Sequence, residues 1–174
     1  MMIVIGTMTE VAPELAAQDR DGFWFGLGLG AGWQIDEPPA GLTSFGCVFS
    51  LKAGGTPARW LRVGGEALTW GSTSEGVERA SGNLMVTGQA YPMVDYGFFV
   101  KAGFGLAGSL IGGSVSGTST NTGFGSALGV GYEFQPGGSL LLTVAADWMI
   151  QLIDVGQGTS TSSFLLLTVG IGTW

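Results

Sequence analysis

The sequence contains no histidine, only one cysteine and few charged residues. Without histidine there are no imidazole metal ligands, no Ser-His-Asp triads and no imidazole acid–base chemistry. The single cysteine, Cys47, allows neither an internal disulfide nor a cage of thiolates. We therefore predict that the protein is not an enzyme and that it holds no cofactor and no metal.

Charged residues make up 11% of the 174 positions, with 13 acidic and 6 basic side chains and a net charge of −7. An ordinary soluble domain has about 25% charged residues, so this is not the surface of a cytosolic protein. Six basic residues in an acidic chain cannot neutralise a run of phosphates, which excludes nucleic acid as a partner. The length corresponds to one domain.

The sequence also lacks the run of about 20 apolar residues that a membrane-spanning helix requires. Its N-terminus has a short apolar start and a pair of small residues, Ala16 and Ala17, but no positively charged beginning. We predict that residues 1–20 are a leader or the remnant of an export signal. Residues 21–174 then form the folded domain.

Glycine is abundant, with 33 residues, and it alternates with large apolar side chains. From Gly22 onward, for example, Phe23, Phe25 and Leu27 occupy odd-numbered positions, and most of the glycines occupy the even-numbered positions between them. Successive side chains of a strand point to opposite faces, so this period of two predicts β-strands with one apolar and one nearly bare face. Eight segments fit a strand in this way: 22–33, 44–52, 61–70, 83–91, 98–107, 123–134, 140–150 and 163–174.

The connections between these segments alternate in length. The predicted long loops are Gln34–Leu42, Gly71–Ser81, Ile111–Thr122 and Gln151–Ser162. The intervening turns are short and rich in glycine and proline, as turn chemistry requires. This alternation is typical of an antiparallel meander whose two ends face different environments.

Five charged residues fall on the face that otherwise carries glycine, alanine, serine and threonine: Arg62, Glu66, Lys101, Glu133 and Asp147. A soluble barrel with that face outside would have an implausibly bare surface, although a soluble ligand-binding barrel remains an alternative. In a membrane the apolar face meets lipid, and a closed barrel pairs every backbone group. We predict an all-β protein, an eight-stranded antiparallel up-and-down transmembrane β-barrel.

Tryptophan and tyrosine concentrate near the ends of the predicted strands. Such residues form girdles at the two headgroup levels of a membrane. The predicted aromatic girdle comprises Trp33, Trp60, Trp70, Tyr91, Tyr96, Tyr132, Trp148 and Trp174. Trp24 and Trp70 differ from the other tryptophans, because their positions in the alternation point their side chains into the barrel or to its rim.

Glycine–aromatic alternation in four segments carries a resemblance to a known family: Gly22–Gly30, Lys101–Leu106, Gly129–Phe134 and Val169–Trp174. The chain resembles the small bacterial outer-membrane β-barrel proteins, which are OmpA/OmpX-like members of the porin superfamily. The resemblance implies a location in the bacterial outer membrane and contact with its lipid and lipopolysaccharide. It also implies recognition of the C-terminal strand by the barrel-assembly machinery. Trp174 takes the place of the family's terminal aromatic residue but shares parity with glycines, which implies a bulge or a weak signal.

The resemblance further implies a charged network inside the barrel. Its predicted members are Arg62, Glu66, Gln89, Lys101, Glu133 and Asp147. The alternative is a narrow path for ions or solutes, and the glycine-rich inner face favours a wet cavity. A catalytic carboxylate pair such as Glu66 with Glu133 lacks a substrate pocket.

These features predict a structural or surface-interaction role carried by the long extracellular loops, whose ligand is unknown. The alternative is a narrow pore, or a barrel that transports or binds a small hydrophobic ligand. Acidic residues of the loops would either bind Ca²⁺ that bridges lipopolysaccharide or simply face solvent. These are Asp36, Glu37, Glu75, Glu78 and Asp154.

Overall fold

The computed structural model describes residues 22–36, 41–74, 77–113, 117–154, 156 and 158–173. The predicted leader and Trp174 lie outside these residues. Eight strands make up nearly all of the described chain: β1 (Gly22–Asp36), β2 (Gly41–Ala58), β3 (Leu61–Ser74), β4 (Val77–Ala90), β5 (Phe98–Gly113), β6 (Gly117–Gly137), β7 (Leu140–Asp154) and β8 (Thr159–Thr173). Within these ranges, no helix is long and apolar enough to span a membrane.

The strands form a closed barrel in sequence order, and β1 pairs with β8. Every neighbouring pair is antiparallel. The prediction of an eight-stranded antiparallel up-and-down barrel is therefore confirmed. Closure leaves no free edge strand, which is the condition for strands to cross hydrocarbon.

The apolar parity faces outward. Phe104, at the middle of β5, is 72% exposed, and Leu128 and Val144 also lie on the outer surface. Lys101 and Glu133 are buried inside the barrel. Such a continuous belt of exposed phenylalanine, leucine and valine would be incompatible with water, so the barrel spans a membrane with this belt against lipid.

The predicted long loops are wrong, because the strands continue into them. β3 ends at Ser74 and β4 begins at Val77, and these two residues pair with each other. Likewise β5 continues to Gly113 and pairs with the start of β6 at Gly117. Glycine, serine and threonine in these segments suggested loops, but the neighbouring strand satisfies their backbone groups, so the barrel wall extends beyond the apolar belt.

We call the two ends of the barrel the inner end and the outer end. The inner end carries the start of β1, the end of β8 and the turns after β2, β4 and β6. The outer end carries the hairpins β1–β2, β3–β4, β5–β6 and β7–β8. At the final strand, β8 pairs with β7 up to Thr173 without a register shift, so the bulge, one of the two alternatives for this strand, is not present in the described part of β8.

Candidate functional site

The interior of the barrel is layered, and β3 alone displays the order of the layers. Residues two apart on a strand share a face, so alternate residues of β3 form an inward column. From the inner to the outer end, this column consists of Arg62, Gly64, Glu66, Leu68, Trp70 and Ser72. Charged residues therefore lie towards the inner end, apolar residues above them, and a hydroxyl at the outer mouth.

Arg62 and Glu133 form the innermost polar layer. Arg62 Nη1 donates to both carboxylate oxygens of Glu133, at 2.8 and 2.9 Å. The Tyr91 hydroxyl donates to the same carboxylate at 2.8 Å, and Gln89 Nε2 donates to it at 3.2 Å. The Arg62 guanidinium also lies 5.5 Å from the ring centre of Trp24, within range of a cation–π interaction. One carboxylate thus receives three donors and cross-links β3, β4 and β6.

Lys101 is the centre of the second polar layer. Its ammonium nitrogen lies 2.7 Å from Glu66 Oε1 and 2.9 Å from Asp147 Oδ1. All three side chains are buried. Burying a charge is costly unless it is paired, so two carboxylates on one ammonium bind β3, β5 and β7 together through the lumen.

Lys52 belongs to the same layer and was missed as a member of the predicted network. It lies opposite Glu66 in the register between β2 and β3. Its ammonium lies 5.7 Å from the ring centre of Phe99, across the lumen. The signal was present in the sequence, because Lys52 has the inward parity of Ser50. With Lys52 included, three interior cations balance three interior carboxylates.

An apolar layer separates these charges from the outer mouth. It consists of buried residues from six strands: Val48, Leu68, Trp70, Met85, Ala127, Met149, Phe164 and Leu166. The Trp70 and Phe164 rings pack at 5.0 Å between centres, and the Trp70 indole N–H donates to the Gly32 carbonyl at 3.1 Å. Two amides adjoin this layer and bond to each other, with Gln151 Nε2 donating to Asn83 Oδ1 at 2.8 Å.

This layer is densely packed. Leu68, Met149 and Leu166 point into the lumen, yet each has 0% exposure. Side chains lining an open channel would retain accessible surface. Open space is therefore absent around these three side chains, at the level of the apolar layer of the described barrel.

Above the apolar layer a cavity of about 320 Å³ opens at the outer end. We call this cavity the vestibule. Residues of seven strands line it, and Trp70 and Phe164 close it from below. Its walls carry serine, asparagine and glutamine side chains, together with Arg79. Most of these residues lie in segments whose composition predicts loops, so the sequence does not reveal the vestibule.

The structure places seven of the eight predicted girdle residues in different environments, and Trp174 lies outside the described residues. Trp60 (55% exposed), Tyr96 and Trp148 are exposed, and Trp33 and Tyr132 are half-buried on the outward face. Trp70 and Tyr91, by contrast, are 2% and 1% exposed. Their assignment to the girdle is wrong, because both have inward parity and their polar atoms bond inside the barrel. Trp24, whose parity also points inward, is buried beside Arg62.

The described residues contain no group of three or more acidic or cysteine side chains placed to hold a metal ion. Of the acidic residues considered for Ca²⁺, Glu37 and Glu75 lie outside the described part of the chain. Glu78 and Asp154 are exposed on the outward face. Cys47 is exposed on the lipid-facing side, where it is one more small side chain of the belt.

No protein-family model and no curated protein sequence matches the chain. Several solved structures share its fold. Neisserial surface protein A (NspA) has a TM-score of 0.63 at 12% identity, over 87% of this chain and 96% of its own. Ail, the attachment invasion locus protein of Yersinia pestis, has a TM-score of 0.59 at 12% identity, over 88% of this chain and 98% of its own. A second Ail structure, in complex with the heparin analogue sucrose octasulfate, has a TM-score of 0.53 at 13% identity, covering 87% and 99%.

Identity at this level describes the fold, and the fold agrees with the physical evidence of the apolar belt. Both the strand count and the antiparallel closure match these small barrels. The chain has the fold of the small bacterial outer-membrane β-barrels, and its exposed apolar belt marks it as a membrane-spanning barrel.

Proposed function

We propose that this protein is an occluded outer-membrane barrel whose outer end carries a surface-interaction role. The observation that carries the proposal is the combination of a blocked lumen and a projecting wall. Because Leu68, Met149 and Leu166 have no exposed surface, solutes have no route through the described interior. The barrel therefore offers its surroundings an outer surface rather than a passage.

The projecting wall has the chemistry of a water-exposed surface. At the outer end the outward positions change from phenylalanine and leucine to exposed polar residues. We call these residues the outer rim: Thr73, Glu78, Thr120, Asp154 and Thr161. Because each hairpin stays paired to its tip, the rim is held on at least one side by a neighbouring strand and is a more rigid surface than long loops would be.

The proposal also covers the surroundings of the barrel and the role of its interior carboxylates. Lipid and lipopolysaccharide surround the belt, and the barrel-assembly machinery inserts the chain. We assign the barrel no catalytic activity, because the interior carboxylates Glu66, Glu133 and Asp147 bind cations rather than face an open pocket. The complex of Ail with a heparin analogue supports including sulfated polysaccharides among the surfaces tested.

Conductance in planar bilayers tests the occlusion. Purified protein, shown to be folded by its altered gel migration without boiling, is inserted into the bilayer. We expect no unitary current steps, and bilayers containing an open porin serve as the positive control. Stable steps from the folded protein would contradict an occluded barrel and favour the alternative of a narrow pore.

Retention of protein-containing vesicles on arrays of glycans and matrix proteins tests the surface role. The rim variant carries Thr73→Ala, Thr120→Ala and Thr161→Ala, and its matched control carries Met93→Ser in the exposed turn after β4 at the inner end. We expect retention above that of empty vesicles, lost in the rim variant and kept in the control. Equal retention of both variants would show that the rim does not carry the interaction.

A further inference from the structure

The vestibule is built by inward side chains that lie in register around the outer mouth. In the lower row, successive strands from β3 to β6 place Trp70, Ser81, Ser109 and Asn121 opposite one another. In the next row outward, β3, β4 and β5 place Ser72, Arg79 and Ile111 opposite one another. The paired backbone thus fixes the positions of these side chains, all of which except Ser72 line the vestibule.

This wall combines apolar and hydrogen-bonding surface. Ile111 points into the mouth and is 47% exposed, and Ile153 and Trp70 lie at the floor. Serine hydroxyls and the Asn121 amide supply donors and acceptors beside them. A volume of about 320 Å³ is at the lower end of the range for small-molecule sites, roughly 300–1,000 Å³.

Arg79 is the single charged side chain among the described residues that line the vestibule. No hydrogen bond or ion pair joins it to another described residue. Its neighbour Glu78 has the opposite parity and is exposed on the outward face. Asp154 also has outward parity, and its carboxylate accepts the backbone N–H of Gly156 at 2.8 Å. Arg79 therefore lies at the mouth next to the exposed side chain of Ile111, its partner in the register between β4 and β5.

We propose that the vestibule binds a small organic anion with an apolar body. The guanidinium of Arg79 binds the anionic group, which its planar fork of N–H donors matches in a carboxylate or a phosphate. The apolar body lies against Ile111 and the floor residues Ile153 and Trp70. The serine hydroxyls of the lower row complete the hydrogen bonds of the anionic group or of polar substituents.

The combination of features selects this class over simpler ligands. A purely apolar molecule would leave Arg79 and the hydroxyls without ligand contacts and would partition into lipid instead. A bare inorganic anion would leave Ile111 and the floor in contact with water. A metal cation would meet the guanidinium of Arg79 at the mouth.

Methyl NMR on the whole protein in lipid nanodiscs tests the proposal, with benzoate as the probe. The isoleucine methyls of Ile111 and Ile153 report on the vestibule. The methyl of Ile171, which is exposed on the lipid-facing side, reports on nonspecific partition into the membrane. Benzyl alcohol is the neutral counterpart of the probe, and inorganic phosphate is the anion without an apolar body.

We expect benzoate to shift the Ile111 and Ile153 methyls with saturation and to leave Ile171 unchanged. Arg79→Gln should weaken this binding about tenfold, as expected for losing hydrogen bonds to a charged group. Arg79→Lys should retain part of the affinity, and Glu78→Gln should leave it unchanged. Equal affinity for benzyl alcohol or for phosphate, equal shifts at Ile171, or an unaltered Arg79→Gln variant would each overturn the proposal.

The inference rests on the closed floor of the proposed occluded barrel, but its test is separate. If the barrel conducted and benzoate still bound through Arg79, the occlusion would be refuted and the vestibule site would stand. If the barrel proved closed and benzoate did not bind, the occlusion would stand and the vestibule proposal would fail.

Discussion

Replacing Lys101 with methionine tests whether the interior charges stabilise the barrel as a connected network. The ammonium of Lys101 contacts one oxygen of Glu66 and one of Asp147, and all three groups are buried. Lys101→Met keeps most of the side-chain volume and removes only the charge. Two buried carboxylates then lose their shared cation.

Removing one partner of a buried ion pair typically costs about 3–5 kcal/mol, because the remaining charge is left uncompensated. Here two carboxylates are affected, while Lys52 opposite Glu66 remains as partial compensation. We therefore expect Lys101→Met to lower the free energy of unfolding by about 3–5 kcal/mol. This is a large part of the total of roughly 5–15 kcal/mol that is usual for a folded domain.

The assay is reversible urea unfolding of the protein in lipid vesicles, followed by tryptophan fluorescence. Combining Lys101→Met with Asp147→Asn leaves Glu66 opposite Lys52, so cations and carboxylates balance again, and it should restore most of the lost stability. Glu78→Gln, on the exposed outer rim, serves as the control and should change stability by less than about 0.5 kcal/mol. A cost below about 1 kcal/mol for Lys101→Met, the value of a surface ion pair, would refute the reasoning.

Two further substitutions test the facing of the wall and the packing of the lumen. Phe104→Lys, in the middle of the belt, should cost about 2–4 kcal/mol in the same assay, whereas Thr161→Lys on the rim should cost about 0–1 kcal/mol. Equal costs would contradict the assigned facing. Gly129→Ala should cost about 1–3 kcal/mol, because its added carbon would overlap the Asp147 carboxylate that binds Lys101. Gly88→Ala meets nothing within 4 Å and is the matched control; comparable losses would show that glycine makes no special room at position 129.

Strand identity and facing could be predicted from the sequence because lipid and lumen impose opposite chemistry on alternate residues. Phe104 and Lys101 differ in parity, and the structure separates them accordingly. The same rule would have placed Tyr91 inside, since it lies two residues after Gln89. Its position near a turn suggested a headgroup contact instead, and parity was the better guide.

The strand ends and the contacts across the lumen could not be predicted in the same way. Ile111 and Ser119 lie in a stretch of turn-forming residues, yet they pair with each other, because a partner strand overrides weak local preferences. The meeting of Glu66, Lys101 and Asp147 depends on the register of four successive strand pairs. A one-residue slip in any pair would move every following side chain to the other face, and alternation alone does not fix that register.

The inner face carries many glycines, and side chains from other strands fill the space that these glycines leave in the lumen. An added carbon on Gly129 would overlap the Asp147 carboxylate, and one on Gly131 would overlap the Phe99 ring. At Gly26 it would lie 3.1 Å from the Lys52 side chain. Each of these glycines leaves space that a larger side chain from another strand occupies. Abundant inward glycine therefore makes room for the side-chain pairs that cross the lumen. A sequence that combines inward glycines with large inward residues such as Phe99 predicts an occluded barrel.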